Sequence, residues 1–123
     1  MPVIIHPRAI IEPGAKIGRG TIICAGAIVC VQAQIGEDCI INTGAIIEHE
    51  SIVGNHAHVA PGCKVAGRVR IGDGVFIGIG ACVREKLSIG AESIIGAGAV
   101  VVNDVPAGVV AYGVPARVAK SCK

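Results

Sequence analysis

The sequence predicts an all-β fold, a parallel β-solenoid of triangular cross-section, and three observations support it. First, every sixth residue from Ile5 to Val101 is Ile or Val, at all seventeen positions. Second, a mostly small side chain follows four residues after each of them. Third, a glycine recurs every eighteen residues from Gly18 to Gly90, which fits three hexads per coil. A period of six matches neither a helix nor a simple strand, whereas a solenoid of stacked short strands produces it.

Each hexad is expected to form a short strand and a two-residue corner, with the β-branched residue pointing inward. Successive coils then stack at the spacing of parallel strands, ~4.8 Å. No insertion breaks the frame, so we assign residues 1–106 to the solenoid. Beyond Pro106 the period stops. Pro115, followed by Arg117 and Lys120, predicts a short C-terminal helix or an extended tail over residues 107–123 that packs on the solenoid.

The composition narrows the range of functions. The chain is 52% hydrophobic, has only Phe76 and Tyr112 as large aromatics, and carries 11 Lys+Arg against 9 Asp+Glu. Stacking platforms and a strong basic field are therefore missing, which argues against nucleic acid as a partner. Polar or glycine residues interrupt every apolar stretch before the ~18 residues of a membrane span. No secretory signal is visible, so we expect a cytoplasmic protein whose six cysteines are thiols.

The residue before each inward Ile or Val points outward, so the three sides of the prism can be compared. The polar side presents Lys16, Gln34, Ile52, Arg70 and Ser88. The first apolar side presents Ile22, Ile40, His58, Phe76 and Ile94. The second apolar side presents Ile10, Ile28, Ile46, Lys64, Cys82 and Val100. Two adjacent apolar sides exceed what a monomer normally exposes. We therefore predict a homotrimer in which the first apolar side of one subunit packs on the second apolar side of the next.

The most polar interruption of the repeat identifies candidate site residues. His49 and Glu50 occupy both corner positions after the second apolar side, and His58 lies in the outward column of the first apolar side. If the corner shared by the apolar sides points at the three-fold axis, His49 of one subunit lies close to His58 of its neighbour. Gly67 occupies the same corner as His49 one coil further, where a glycine lets a ligand approach the backbone. An imidazole base beside a backbone N–H donor is what acyl transfer from a thioester requires.

Motifs along nearly the whole chain then indicate a family. They are Asn42-Thr43-Gly44, Glu48-His49-Glu50, His58-Val59-Ala60-Pro61-Gly62, Ala66-Gly67 and Tyr112-Gly113-Val114-Pro115-Ala116. The chain resembles the hexapeptide-repeat sugar acetyltransferases, of the sialic acid O-acetyltransferase and UDP-4-amino-sugar N-acetyltransferase type. That resemblance implies a left-handed parallel β-helix. It also implies an enzyme that moves an acetyl group from acetyl-CoA to an amine or a hydroxyl of a sugar-type acceptor, with no metal.

The same resemblance implies roles for individual residues. His49 would be the general base and Glu50 the acid that orients and polarises it. Asn42 and His58 would line the acceptor pocket, and Gly67 would donate its N–H to the thioester oxygen. Acetyl-CoA would lie in the cleft between subunits with its nucleotide end near the C-terminal tail. There, phosphate contacts by charge are expected from Arg117 and Lys120.

One departure from the family pattern concerns the acceptor. Members usually carry an N-terminal α/β half that binds the nucleotide of the sugar, whereas this sequence starts almost directly at the solenoid. A smaller acceptor, a second protein that supplies that half, and binding by the cleft alone are the alternatives, and N- and O-acetylation both stay open.

Two other functions also stay open. A trimeric solenoid that acts as a scaffold would use the same fold without any chemistry. A metal enzyme like the γ-class carbonic anhydrases would need three convergent ligands around zinc. The four histidines, His6, His49, His56 and His58, lack the pair spaced by five that this class contains.

Overall fold

A computed structural model of the protein describes residues 1–122 and confirms the predicted parallel β-solenoid. These residues form nineteen strands and no helix. In chain order the strands are β1 (Ile4–Ile5), β2 (Ile10–Ile11), β3 (Lys16–Ile17), β4 (Ile22–Ile23), β5 (Ile28–Val29), β6 (Gln34–Ile35), β7 (Ile40–Ile41), β8 (Ile46–Ile47), β9 (Ile52–Val53), β10 (His58–Val59), β11 (Lys64–Val65), β12 (Arg70–Ile71), β13 (Phe76–Ile77), β14 (Cys82–Val83), β15 (Ser88–Ile89), β16 (Ile94–Ile95), β17 (Val100–Val101), β18 (Val109–Tyr112) and β19 (Arg117–Ser121).

The strands form three sheets, one for each side of the prism. The first apolar side contains β1, β4, β7, β10, β13, β16, β18 and β19; the second contains β2, β5, β8, β11, β14 and β17; the polar side contains β3, β6, β9, β12 and β15. Paired residues are eighteen apart in the regular part of the solenoid, as Ile46 of β8 and Lys64 of β11 show. Residues eighteen apart in the sequence therefore lie directly above one another, in about six coils.

Corner geometry separates the three edges of the prism. The second corner residue often has left-handed backbone, with φ between 53° and 62° for the seven non-glycine cases. These are Gln32, Asp38, Glu50, His56, Arg68, Lys86 and Glu92. The edge between the two apolar sides instead has glycine at this position in five successive coils, at Gly26, Gly44, Gly62, Gly80 and Gly98. Because glycine adopts this backbone without strain and carries no side chain, that edge is open to close approach by another chain.

Buried hydroxyl groups tie consecutive coils together. Thr21, Ser51 and Ser93 are fully buried in the small inward column, among Ile, Val and Ala side chains. Ser51 accepts a hydrogen bond from the Val69 N–H at 3.0 Å and donates one to the Ala66 carbonyl at 2.7 Å. Thr21 and Ser93 make the same pair of bonds with the coil that follows them. Within residues 1–122, every buried side-chain nitrogen and oxygen has a hydrogen-bond partner.

The C-terminal segment corrects one sequence expectation. The spacing shortens after β17, so that Ile89 bridges to Val105, and β18 then extends the first apolar side beside β16. β19 folds back antiparallel on β18, pairing Tyr112 with Arg117. The helical alternative is therefore wrong and the extended one is right, because the free edge of β18 offers N–H and C=O groups that a strand satisfies. The domain boundary after residue 106 stays a prediction.

The outer surfaces of the solenoid differ as the outward columns predict. On the first apolar side, Ile22, Phe76 and Ile94 are 38–40% exposed. The polar side presents exposed Lys16 and Arg70 instead. No helix in the part of the chain that the structure describes has the length and apolar character to cross a membrane. The homotrimer stays a prediction, for which the two apolar sides supply the surface.

Candidate active site

One edge of the prism, between the second apolar side and the polar side, brings three of the predicted site residues together. His49 and Glu50 form the corner after β8, and Gly67 and Arg68 form the next corner, after β11. The Arg68 N–H donates to the His49 carbonyl at 3.0 Å and so holds the two corners in register. The eighteen-residue spacing is what stacks them, because it equals one coil.

A short hydrogen-bonded chain orients the imidazole of His49. Its Nδ1 lies 3.2 Å from Oε1 of Glu50, and the Nε–H of Arg68 donates to the same oxygen at 3.2 Å. Because an ionised carboxylate only accepts, Nδ1 carries the proton and Nε2 of the neutral ring keeps its lone pair. The hydrogen bond from His49, then that from Arg68 together with its charge, holds the pKa of Glu50 below its usual range. Glu50 therefore stays ionised and fixes the ring in one tautomer.

Gly67 lies directly against that ring. A Cβ placed at residue 67 would be 2.7 Å from Cε1 and 3.0 Å from Cδ2 of His49, so only glycine leaves room for the imidazole. The backbone of Gly67 is not in the left-handed region, which means that the need is for space rather than for conformation. The N–H of Gly67 has no acceptor within residues 1–122. An unpaired donor therefore lies beside an imidazole that has a free lone pair.

Two adjoining depressions lead to this pair. A cleft of about 370 Å³ is lined by Glu48, His49, Ala66, Gly67, Arg68, Glu85 and Lys86. A groove of about 470 Å³ runs along the second apolar side, lined by Ile46, Glu48, Lys64, Val65, Ala66, Cys82, Val83, Arg84, Val100 and Val102. They share Glu48 and Ala66, so the apolar groove opens onto the His49 cleft. An elongated ligand can thus lie along the groove and present one end to the imidazole.

Asn42 and His58 form a second cluster on the first apolar side. The Nδ2 amide of Asn42 lies 3.3 Å from Nε2 of His58, and its Oδ1 accepts the Thr43 N–H at 2.8 Å. Since Oδ1 is occupied by a donor, the amide N–H donates to Nε2, and Nδ1 of the neutral His58 ring carries the proton. Phe76 packs edge-on against this ring, with centroids 5.1 Å apart. The His58 side chain is thereby held in place by both neighbours.

The structure of one chain does not join the two clusters. His58 lies on the first apolar side, whereas His49 lies at the far edge of the second apolar side. Arg117 and Lys120 lie in β19, whose partner strand β18 also belongs to the first apolar side, away from Gly67. A single subunit therefore presents two half-sites on different faces.

Sequence reasoning did not identify Arg68 or Phe76 as site residues. Arg68 lies eighteen residues after Glu50, and Phe76 lies eighteen residues after His58. The same coil spacing that places Gly67 above His49 would have found both. Their side chains contact the predicted residues only because each occupies the same column one coil further.

The cysteines of the core are poor nucleophiles. Burial, aided by the charges of Glu48 and Glu12, raises the pKa of Cys30 to about 12. Burial also raises the pKa of the Cys39 and Cys63 thiols. Thiols with raised pKa values hold little thiolate at neutral pH and stay inert. Within residues 1–122, no three His, Cys, Asp or Glu side chains form a group that could hold a metal ion.

Comparison with known proteins identifies the class. The family described as bacterial transferase hexapeptide (six repeats) matches residues 32–67 and 68–103, and the chain belongs to this family. A search of curated proteins gives no significant match.

Solved structures add more specific relatives. The chain is 40% identical to PerB from Caulobacter crescentus, solved with CoA and GDP-perosamine, with a TM-score of 0.96 over 97% of this chain and 57% of that one. It is 38% identical to the acetyltransferase domain of PglB from Neisseria gonorrhoeae, with a TM-score of 0.95 over 96% of this chain and 58% of that one. That domain was also solved with acetyl coenzyme A. WeeI from Acinetobacter baumannii is 33% identical, with a TM-score of 0.90 over 92% of this chain and 56% of that one.

These findings confirm the predicted resemblance to hexapeptide-repeat sugar acetyltransferases, since PerB is described as a GDP-perosamine N-acetyltransferase. The chain spans 56–58% of the length of these three proteins.

Proposed function

We propose that the protein transfers the acetyl group of acetyl-CoA to an amine of a sugar-type acceptor. The observation that carries the proposal is the unit formed by His49, Glu50 and Gly67, in which an oriented imidazole base lies beside an open backbone donor. The relatives with 38–40% identity, solved with CoA or acetyl-CoA, support the donor. GDP-perosamine, bound to one of them, supports an amino sugar as the acceptor class and favours N- over O-acetylation.

The reaction follows from the geometry of these groups. The acceptor amine attacks the thioester carbonyl carbon and forms the new C–N bond, while Nε2 of His49 removes a proton from the nitrogen. The carbonyl oxygen becomes an oxyanion and receives the hydrogen bond of the Gly67 N–H. The C–S bond then breaks, and the CoA thiolate takes the proton back from His49. Glu50 orients the ring and stabilises the imidazolium that forms in between.

A homotrimer would complete the site. In this arrangement the first apolar side of one subunit covers the second apolar side of the next, and the glycine edge between the two sides faces the three-fold axis. His58, held by Asn42 in one subunit, then faces the groove that leads to His49 of the next. The acceptor would be bound by Asn42 and His58 and activated by His49, and acetyl-CoA would lie in the groove between them.

The nucleotide end of CoA would extend towards the C-terminal hairpin. Arg117 and Lys120 are exposed in β19 and would contact its phosphates. A cytoplasmic location belongs to the same proposal, because free cysteines suit a reducing compartment.

Calorimetric titration with acetyl-CoA, followed by an assay of acetyl transfer to nucleotide-linked amino sugars, tests this function. One acetyl-CoA per chain and transfer that falls by ~10²–10⁴ in His49→Ala are expected. His56→Ala is the matched control, because His56 is an exposed corner histidine 3.9 Å from Asp38 at another edge. A well-formed trimer that binds no acetyl-CoA would favour the scaffold alternative. Full activity in His49→Ala would remove the mechanism.

A further inference from the structure

We propose that Ser51 is a positioning residue for the oxyanion donor. Its buried hydroxyl holds the peptide unit between Ala66 and Gly67, so that the Gly67 N–H faces the reacting thioester and donates more strongly. The inference rests on the proposed function and names a residue that acts through the backbone rather than on the substrate.

The contact that carries the inference lies behind the active-site corner. Ser51 is fully buried, and its Oγ–H donates to the Ala66 carbonyl at 2.7 Å while Oγ accepts the Val69 N–H at 3.0 Å. The two bonds fix the direction of the hydroxyl. Ala66 C=O and Gly67 N–H belong to one peptide group, and a trans peptide points them in opposite directions. With its carbonyl held inward by Ser51, the peptide must direct the Gly67 N–H outward, to the side of His49.

Glycine makes such support necessary. Because it has no Cβ, Gly67 gives room to the His49 ring but restrains the rotation of its own peptide less than any other residue would. A hydrogen bond to the carbonyl opposes this rotation. It also polarises the peptide group, since hydrogen bonds in a chain strengthen one another, by about 10–30% per bond.

Four other peptides in the solenoid have their carbonyl held by a small inward side chain, and two of them show where this N–H points; the matching N–H groups of the other two, on Ile79 and Ala107, have no acceptor within residues 1–122. Thr21 donates to the Gly36 carbonyl, and the N–H of the same peptide, on Glu37, binds Oδ1 of Asn55 at 2.9 Å. Cys39 donates through sulfur to the Gly54 carbonyl, and the matching N–H, on Asn55, binds Oδ1 of Asp73 at 2.8 Å. The side chain that supplies the oxygen comes from the coil above in both cases.

The corresponding side chain above Gly67 is that of Glu85. Its Oε1 lies 3.6 Å from NH1 of Arg84. The Gly67 N–H is thereby left open, in a position where two of the four equivalent peptides each bind an oxygen atom. The thioester oxygen would take the place that a carboxamide or carboxylate oxygen occupies in those peptides.

Three variants test the role. In Ser51→Ala the bond to the Ala66 carbonyl is lost, and kcat should fall about tenfold, a fraction of the ~10²–10³ that removal of a whole oxyanion donor costs. The KM for acetyl-CoA should change less than about twofold, since the bond acts mainly on the transition state. Ser51→Cys should recover most of kcat, because Cys39 and Cys63 make the same bond to a carbonyl at 2.9 Å.

Ser93→Ala is the matched structural control. Ser93 is equally buried and donates to the Pro106 carbonyl at 2.6 Å, but it lies away from the His49 corner. It should lower the thermal midpoint as much as Ser51→Ala and leave kcat unchanged. In the 15N–1H spectrum of the trimer, Ser51→Ala should move the Gly67 amide proton upfield, whereas Ser93→Ala should not.

Three outcomes would overturn the inference: unchanged kcat in Ser51→Ala below its melting temperature, an equal loss of kcat in Ser93→Ala, or no recovery in Ser51→Cys. If the wild-type protein transfers acetyl groups in a way that depends on His49, but Ser51→Ala keeps full kcat, only the role of Ser51 is rejected. Absence of transfer by the wild-type protein would reject the proposed function instead. If Ser51→Ala does not fold, the expected result is a kcat about twofold below wild type in Ser51→Cys, as a thiol is the weaker donor, and a loss of about tenfold or more would overturn the inference.

Discussion

The imidazole of His49 fills the space that a side chain at residue 67 would need, so His49 and Gly67 form one unit across two consecutive coils. Any side chain larger than glycine at residue 67 would displace the His49 ring. Because the corners are tied by the bond from the Arg68 N–H to the His49 carbonyl, the ring cannot escape by a shift of the backbone.

Gly67→Ala should therefore fold normally and lose activity. The backbone at Gly67 suits an alanine, but the added methyl group displaces the His49 ring from the N–H. A displacement of about 1 Å at a reacting group costs ~10² in kcat. Steady-state kinetics with the circular dichroism melt as a folding control would measure this. A variant with normal kcat would show that His49 and the residue 67 donor do not act together.

Arg68→Met should shift the titration of the Glu50 carboxyl to higher pH, as measured from the 13C NMR signal of its Cδ. The His49 hydrogen bond and then Arg68 hold the pKa of Glu50 below its usual range, so its carboxylate is lost only as pH falls well below that range. Without Arg68, Glu50 takes up its proton at a higher pH and stops orienting His49. Arg68→Lys keeps the charge and should shift the Glu50 titration less.

The control for this pH effect is Glu50→Gln, which has no carboxyl to titrate. In the Glu50→Gln background, the carbon signal of residue 50 should stay constant over the same pH range, with or without Arg68. A Glu50 carboxyl that titrates at the same pH in Arg68→Met and in the wild-type protein would contradict the coupling.

The sequence predicts most of the solenoid because the six-residue repeat continues without interruption from Ile5 to Val101. Ile47, Val65 and Val83 sit in one column simply because the chain returns to the same side every eighteen residues. The repeat does not predict the C-terminal hairpin, because the pairing of β19 depends on the free edge of β18 and not on any period. Pro115 and Arg117 suggest a helix start only when that edge is ignored.

Part of the candidate site could likewise be predicted from the repeat, and part could not. Column spacing places Gly67 next to His49, because both positions follow from the period. Column spacing also places Arg68 next to Glu50, but the direction of the hydrogen bond from Ser51 to the Ala66 carbonyl depends on the side-chain rotamer, which a hexad does not specify. From the sequence alone, Ser51 is one more small residue that points into the solenoid.

The C-terminal strand β19 leads to a prediction about the binding of acetyl-CoA. Replacing both Arg117 and Lys120 with alanine should weaken acetyl-CoA binding about tenfold, because charged hydrogen bonds to phosphate are lost. Binding of acetyl-pantetheine, which lacks the nucleotide phosphates, should not change. Arg19→Ala is the control, since Arg19 is an exposed arginine that pairs with Glu37 at 3.3 Å on another edge. If calorimetry shows that the double variant loses the same affinity for acetyl-CoA and for acetyl-pantetheine, Arg117 and Lys120 do not contact the phosphates.

Thiol labelling should report both the core and the subunit interface. Iodoacetamide at pH 8 should modify the exposed Cys122 first, whereas Cys30, with its pKa raised to about 12, should resist until the chain unfolds. Cys82 lies on the second apolar side and is partly exposed in one chain, so trimer formation should protect it. Peptide mass spectrometry in buffer and in denaturant measures the order. Rapid labelling of Cys82 in the assembled protein would argue against packing of that side.

Mixed trimers give the sharpest test of a shared site. His49→Ala and His58→Ala chains should each form inactive trimers, because each removes one half of every site. If a site combines His49 of one subunit with His58 of the next, random co-assembly of equal amounts makes about a quarter of the sites intact. Activity near that fraction of wild type is expected after the two proteins are unfolded and refolded together, with native mass spectrometry to verify mixing. If the mixed trimers stay inactive, no site combines His49 of one subunit with His58 of the next, and the shared site is wrong.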